Sequence, residues 1–253
     1  MNNKVYQVDS FTGEPFKGNP AGVMIVDEKT STEFMQNIAL EMNLSETAFL
    51  IPYNEGFKIR YFTPSKEVPL CGHATLASAH IVFELGLKEK SETVKFYAQG
   101  GDLTISMDSE MIVMNFPKYS YSKIEMDIDF INAIGFQPVE VYSSLYDWVI
   151  LVAETEKEIQ DADPNIELMI KSGLGHLMIT AQSQSENIDF VLRCFAPVSG
   201  INEDPVTGSA HCALTPLWAE KLNKSELNSF QLSKRTGELK TLLTGDRVLI
   251  KGK

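Results

Sequence analysis

Two segments of this chain repeat one pattern of arginine, phenylalanine, proline and glycine. They read RYFTPSKEVPLCGHATLASAH and RCFAPVSGINEDPVTGSAH. The paired residues lie 133 positions apart: Arg60 and Arg193, Phe62 and Phe195, Pro64 and Pro197. In each segment a strand leads through a loop to a glycine, Gly72 or Gly208, that begins an apolar helix. A pattern that occurs only twice is not a solenoid, so the sequence predicts an α+β fold of two similar lobes, each with a central helix.

The remaining predicted elements follow the same order in both halves. A strand at 4–11 and the loop FTGEPFKGNPAG open the first half. A helix follows from Thr30 to Met42, where Thr30 and Glu33 fit a capping box. Residues 117–129 are polar and rich in tyrosine, which favours a linker. We therefore expect a first lobe over 1–117 and a second over 118–245.

Composition excludes several classes of partner. The formal charge of −12 argues against nucleic acid or an anionic membrane as a partner, since both need a positive surface. Three cysteines match no disulfide framework and no zinc pattern, which indicates reduced thiols in a cytoplasmic protein. The first residues lack the apolar core of a signal peptide, and no apolar run reaches the ~18 residues of a membrane span.

The two glycine-led helix starts are candidate anion sites. A helix N-terminus leaves backbone N–H groups without intrahelical acceptors and carries partial positive charge, which suits a carboxylate or phosphate. One such glycine alone indicates only a tight turn, whereas two matching loops favour a shared site. His73 follows Gly72 and can bind substrate or exchange a proton, or it caps its own helix. We expect His80 to be packed and His211 to be structural.

Two carboxylates are candidate proton carriers. Glu46 stands where a helix ends and an apolar strand begins, a junction that can partly desolvate a general base. The alternative for Glu46 is an exposed loop charge. Asp204 lies in the longer second loop, and its alternative is a turn aspartate before Pro205.

Cys71 precedes Gly72 and lies beside a helix N-terminus, where a thiolate would be stabilised. A mechanism with two thiols needs a second cysteine in the other loop, which reads PVTG instead. The sequence therefore favours a small buried hydrophobe at this position. Nucleotide, metal and serine-hydrolase motifs are missing, so we expect no cofactor and no metal.

Four motifs in this order resemble the PhzF-like family, which is named for a phenazine-biosynthesis isomerase and related in fold to diaminopimelate epimerase. They are GNPAGV, MNLSETAFL, RYFTPSKEVPLCGHATLASAH and EDPVTGSAHCAL. The resemblance implies two lobes, each a barrel-like, mostly antiparallel sheet wrapped around a central helix. It also implies that the last strand, at 246–253, returns to the first lobe and that the substrate binds in the cleft between the lobes.

The resemblance further implies roles for individual residues. Glu46 matches the acid/base that moves a proton on a cyclic dienyl carboxylate without a cofactor. The positions that surround the substrate are matched by His73, Asp204, Gly72, Gly208 and Ser209, and Ser45 lies in the matched NLSE stretch. Homodimers are usual in the family. Near the C-terminus the chain reads SKRTG where many relatives have consecutive glycines, which implies a different substrate size.

The leading hypothesis is thus a cofactor-independent isomerase. It has catalytic residues Glu46, His73 and Asp204 and acts on a small carboxylate-bearing metabolite. Two alternatives remain open: a racemase or epimerase that depends on Cys71, and a non-catalytic module that binds a small acid.

Overall fold

The computed structural model describes residues 4–253, which form two compact units. Unit 1 comprises the described residues up to Phe116 together with Leu249–Lys253, and unit 2 comprises Pro117–Val248. Within the described residues, none of the helices is both long and apolar enough to cross a membrane.

Unit 1 is built from a twisted sheet and two helices. Its strands are β1 (Val5–Ser10), β2 (Asn19–Ile25), β3 (Glu46–Tyr53), β4 (Gly56–Phe62), β5 (Glu67–Val68), β6 (Val94–Ala98), β7 (Gly101–Asp108) and β8 (Met111–Pro117). Its helices are α1 (Thr32–Met42) and α2 (Gly72–Glu84). The pairs β2–β3 and β4–β6 are parallel, and the other pairs along the sheet, from β1–β2 to β7–β8, are antiparallel.

Helix α2 is the centre of unit 1. Its residues from Gly72 to Phe83 are buried except for His80, as expected for a helix that is apolar on every side. It packs against β1, β2 and β3. Helix α1 covers another part of the sheet, where Met35 and Ala39 pack with Met24, Phe49 and Phe62.

Unit 2 has the same construction. Its strands are β9 (Tyr121–Lys123), β10 (Glu140–Ser144), β11 (Trp148–Val152), β12 (His176–Gln182), β13 (Phe190–Ala196), β14 (Ile201–Asp204), β15 (Glu226–Gln231), β16 (Gly237–Thr244) and β17 (Arg247–Gly252), which runs on into unit 1. Its α-helices are α3 (Ile128–Ile134), α4 (Glu156–Asp161), α5 (Ile166–Lys171) and α6 (His211–Leu222). Helix α6 is its central helix, buried from His211 to Ala219.

The order of strand pairing is the same in the two units. In unit 2 the parallel pairs are β11–β12 and β13–β15, at the positions that β2–β3 and β4–β6 take in unit 1. The predicted α+β class with two similar lobes around central helices is therefore confirmed.

The repeated arginine has the same structural task in both units. Arg60 of β4 makes a two-pronged ion pair with Glu67 of β5, with both nitrogen–oxygen distances at 2.7 Å. Arg193 of β13 pairs in the same way with Glu203 of β14, at 2.7 and 2.9 Å. Each guanidinium also lies 5.1 Å from the ring of the phenylalanine two residues later. The repeated Arg-x-Phe pattern thus fastens a short strand to its neighbour.

Three predictions from the sequence are wrong in detail. The N-cap of α1 is Ser31, whose side chain accepts from the Phe34 N–H, and not Thr30. The segment predicted as a linker contains β9, which pairs with β10, and the first residues of α3. His80 is exposed on α2 rather than packed.

Candidate active site

Glu46 stands at the beginning of β3. Helix α1 ends at Asn43, which takes the left-handed conformation at φ 49°, and the chain turns through Ser45 into the strand. The parallel pairing of β2 with β3 places Ala21 opposite Glu46. The Glu46 side chain is 13% exposed, so its carboxylate is largely removed from water.

The Glu46 carboxylate faces a histidine on the central helix. His73, the second residue of α2, has Nε2 3.3 Å from Glu46 Oε2, and its side chain is 5% exposed. The other ring nitrogen, Nδ1, lies 3.1 Å from the amide nitrogen of Asn19. Ser10 donates to the His73 carbonyl at 2.8 Å.

Ser10 and Asn19 hold His73 from one place in the sheet, because they are the last register pair of the antiparallel β1–β2 ladder. The loop that joins them requires Gly18 in the left-handed region at φ +70°. A Cβ at Gly18 would lie 2.3 Å from the Ser10 carbonyl oxygen. The glycine therefore permits the close approach that brings Asn19 and Ser10 to the same histidine.

Burial determines the charge of His73. Removal from water lowers the pKa of His73 to about 3, so the imidazole is neutral at pH 7. The 3.3 Å contact with Glu46 therefore joins a neutral ring and a carboxyl group and is not an ion pair. His73 acts here as a polar partner of Glu46, and free exchange of its proton with solvent near pH 7 is disfavoured.

The Cys71 thiol completes this cluster. Its Sγ lies 3.5 Å from Nδ1 and 3.9 Å from Nε2 of His73. Glu46, Cys71 and His73 each place one potential metal-ligating atom within 4.8 Å of the other two. Zinc can bind carboxylate, thiolate and imidazole donors of this kind. A neutral histidine binds metal through its unprotonated nitrogen, and the Asn19 amide occupies Nδ1 as a hydrogen-bond donor. The cluster therefore fits a hydrogen-bonded proton network better than a metal site.

Helix α2 begins without a side-chain cap. Its N-cap is Cys71, which makes no capping hydrogen bond, whereas Ser31 caps α1. Gly72 and His73 thus begin a 13-residue helix whose first N–H groups have no intrahelical acceptor. These N–H groups can bind the carboxylate of a ligand close to Glu46.

In unit 2 the second loop forms its own polar network. Asp204 ends β14, and its Oδ2 accepts from the Thr207 hydroxyl at 2.5 Å. The Gln231 amide nitrogen donates to the Asp204 carbonyl at 2.7 Å, and its oxygen accepts from the Thr207 N–H at 2.8 Å. The α6 segment begins with a 3₁₀ turn, Gly208–Ala210, in which Gly208 is buried and Ser209 is half-buried.

His211 is fixed at the beginning of α6. Its Nδ1 donates to the Thr207 carbonyl at 3.1 Å, because a carbonyl oxygen can only accept. Its Nε2 lies 2.7 Å from the Ser229 hydroxyl. Burial lowers the pKa of His211 to about 4, so this ring is neutral as well.

The structure groups the predicted site residues by unit. In unit 1 it brings Glu46 and His73 together, with Gly72 adjacent to His73 and Ser45 adjacent to Glu46 in the chain. In unit 2, Asp204, Gly208 and Ser209 share one loop.

Four residues of these networks were missed by the reasoning from sequence: Ser10, Asn19, Thr207 and Gln231. The asparagine–proline step in GNPAG was the available signal for Asn19, since such a step marks a turn with demanding geometry. Thr207 stands in the EDPVTGSAHCAL motif directly before Gly208, whereas Ser10 and Gln231 carried no comparable signal.

Comparison with known proteins gives a consistent picture. A family model described as "Phenazine biosynthesis-like protein" matches residues 8–253. An uncharacterized isomerase of Halalkalibacterium halodurans is 44% identical over 253 residues, which cover the whole of this chain and 95% of the relative.

Solved structures agree with this match. A crystal structure of a phenazine biosynthesis protein of the PhzF family from Enterococcus faecalis is 36% identical with a TM-score of 0.91, over all of this chain and 96% of the other. A probable proline racemase from Agrobacterium radiobacter is 11% identical with a TM-score of 0.68, over all of this chain and 90% of the other, a likeness of fold alone.

Proposed function

This chain belongs to the phenazine biosynthesis-like family, and from that premise we propose that it is a cofactor-independent isomerase. Its substrate is a small metabolite that bears a carboxylate, and Glu46 removes a proton from one carbon and returns it to another. The observation that carries the proposal is the contact between Glu46 Oε2 and His73 Nε2, 3.3 Å apart and largely removed from water.

The environment of Glu46 supports proton transfer. A carboxylate held by a hydrogen-bond donor keeps a fixed direction toward substrate, and general acid–base catalysis by such a group typically contributes about 10²–10⁴-fold. The uncapped start of α2 at Gly72 and His73 supports binding of the substrate carboxylate close to Glu46. The same N–H groups stabilise negative charge that develops when the proton leaves.

The second loop is part of this proposal. We assign Asp204, Gly208 and Ser209 to contacts with the same substrate, on the strength of the sequence repeat and the family resemblance. In unit 2 the Thr207 hydroxyl and the Gln231 amide hold Asp204 in place. Because both the side chain and the backbone carbonyl of Asp204 have hydrogen-bond partners, its carboxylate is fixed in direction and suited to orienting a substrate.

The proposal is tested by proton exchange in heavy water. The probe is a cyclic dienyl carboxylate, the substrate class that the family resemblance implies, and incorporation of deuterium is followed by mass spectrometry. Wild type should incorporate deuterium, and Glu46→Gln should lower the rate by about 10²–10⁴-fold. Glu41→Gln, an exposed glutamate of α1, is the matched control and should behave as wild type.

Other outcomes would contradict the proposal. A Glu46→Gln protein that exchanges at the wild-type rate would remove Glu46 from the chemistry. Cys71 is the second candidate, because its Sγ lies in the same cluster, and loss of exchange in Cys71→Ala would favour the thiol mechanism. A wild-type protein that binds the acid but neither isomerises it nor incorporates deuterium would favour a binding module.

A further inference from the structure

We infer that Asn19 is a positioning residue that fixes the tautomer of His73, with the proton on Nε2, so that His73 donates a hydrogen bond to Glu46. Asn19 does not touch the reacting atoms. It acts through the ring of His73, whose Nδ1 lies 3.1 Å from the Asn19 amide nitrogen. The inference rests on the proposed role of Glu46 and adds the group that orients it.

The two sides of the ring favour the same tautomer, and each adds to the preference for it. An ionised carboxylate can only accept, so Nε2, which lies 3.3 Å from Glu46 Oε2, is favoured as the nitrogen that carries the proton. A neutral imidazole then has a lone pair on Nδ1, which needs a donor, and the Asn19 –NH₂ group supplies one. Because both nitrogens are buried, the opposite tautomer would leave a lone pair facing a carboxylate.

The position of Asn19 fits this task. Asn19 is fully buried, and it begins β2 directly opposite Ser10 in the register. Ser10 holds the backbone carbonyl of His73 at 2.8 Å while Asn19 holds its ring. One strand pair therefore fixes both the place of the histidine and the orientation of its proton.

The tautomer has a consequence for the reaction. With His73 donating through Nε2, Glu46 Oε2 remains an acceptor before and after proton transfer. The C–H bond of the substrate breaks, its electron pair stays on the substrate, and the proton forms an O–H bond at the other oxygen, Oε1. The O–H bond at Oε1, whose hydrogen meanwhile exchanges with solvent, breaks when a proton is delivered to a different carbon, and Glu46 is restored.

The test measures the tautomer directly by two-dimensional ¹H–¹⁵N NMR of the imidazole rings in uniformly ¹⁵N-labelled protein. The chain has four histidines, and His73→Asn identifies the signals of His73. We expect a protonated Nε2 and an unprotonated Nδ1 at pH 7. His211 is an internal reference, because the Thr207 carbonyl gives it the opposite tautomer. A wild-type His73 that is protonated on Nδ1 would overturn the inference without any variant.

Variants separate positioning from a general structural role. Asn19→Asp offers only acceptors to Nδ1 and should move the proton there, and Asn19→Leu should give a mixture of tautomers. Ser10→Ala is the matched control, because it removes the contact to the same histidine's carbonyl and leaves the ring tautomer unchanged. An unchanged tautomer in both Asn19 variants would overturn the inference.

Activity provides the second measurement. Asn19→Leu should slow deuterium exchange by roughly 5- to 100-fold, the size of one lost buried hydrogen bond. A Leu variant with the wild-type exchange rate would deny the positioning role even if the tautomer changes. The NMR measurement needs no turnover, so it tests the tautomer separately from the reaction. If His73 shows the predicted tautomer but Glu46→Gln remains fully active, the proposed function is refuted and the tautomer assignment stands.

Discussion

Replacement of His211 by asparagine should make the stability of this protein less sensitive to acid. His211 is fully buried between the Thr207 carbonyl and the Ser229 hydroxyl, and burial lowers its pKa from 6.5 to about 4. Between pH 6.5 and 4 the unfolded chain binds a proton at this residue and the folded protein does not. Stability from His211 is therefore present above pH 6.5 and is lost as the pH falls through this window.

The size of the effect follows from the same pKa values. A pH of 5 is 1.5 units below 6.5, the pKa of His211 in the unfolded chain. Each pH unit in this range corresponds to about 1.36 kcal/mol. The folded ring is still neutral at pH 5. His211 should thus lower the free energy of unfolding by about 2 kcal/mol between pH 7 and pH 5, and His211→Asn should abolish that share of the loss.

Urea unfolding at pH 7, 6 and 5 measures this difference. Tryptophan fluorescence follows the unfolding, and in a Trp148→Phe background the signal comes from Trp218 alone. Trp218 lies in the relevant region, because its ring stacks on Phe190 at 5.7 Å and Phe190 packs on the His211 ring at 5.8 Å. Asparagine has an N–H donor for Thr207 but removes the ring contact with Ser229, whose hydroxyl keeps the Leu239 carbonyl, so we expect the variant to be less stable at every pH. The informative quantity is the change between pH 7 and pH 5, not the absolute stability.

A matched control and a refuting result complete this design. His80→Asn removes an exposed histidine of α2 and should leave the pH dependence as in wild type. If His211→Asn loses stability between pH 7 and pH 5 as steeply as wild type, the buried His211 ring does not contribute to the acid sensitivity, to which the buried His73 ring also contributes. The assignment of a neutral His211 in the folded protein would then be wrong.

Three further predictions concern packing and assembly. Arg193→Met should lower the free energy of unfolding by about 3 kcal/mol in urea, because Glu203 would lose its partner while half-buried; equal stability would refute a structural role for the pair. Gly18→Ala should lower the free energy of unfolding by more than Gly86→Ala. Both glycines have a positive φ, but of the two only Gly18 would bring a Cβ against a backbone oxygen. Equal losses of stability in the two variants would contradict this reasoning. The family resemblance predicts a homodimer, so light scattering after gel filtration should give about twice the mass of one chain, and a monomer would refute it.

The fold was predictable because its evidence lies close together in the sequence. The strand that carries Arg60 and the strand that carries Arg193 each precede a central helix within about twenty residues, so one repeated pattern reveals two lobes. The helix cap was predicted one residue too early. Thr30 and Ser31 are both competent N-caps, and the sequence alone does not decide which of the two hydroxyls caps the helix.

The site was less predictable because its contacts join distant parts of the chain. Glu46 and His73 attracted attention from their local motifs, but Asn19 lies 54 positions from His73 and Gln231 lies 24 from Thr207. The orientation of these polar side chains depends on strand register, which hydrophobic patterns describe only approximately. The burial of the His73 and His211 rings likewise follows from the tertiary fold and not from their neighbours in sequence.

The duplicated helix starts show why the partner of a histidine matters more than its presence in a motif. Each central helix carries a buried, neutral histidine in or beside its first turn, His73 or His211. The Thr207 carbonyl accepts from His211 and places that proton on Nδ1, whereas the Asn19 amide donates to His73 and leaves Nε2–H directed at Glu46. Both ring nitrogens of His211 therefore hold structural partners, Thr207 and Ser229. Of the two histidines, only His73 faces a carboxylate. The repeat thus supplies two similar scaffolds, and in the proposed mechanism the Asn19 amide on β2 is what adapts one of them to proton transfer.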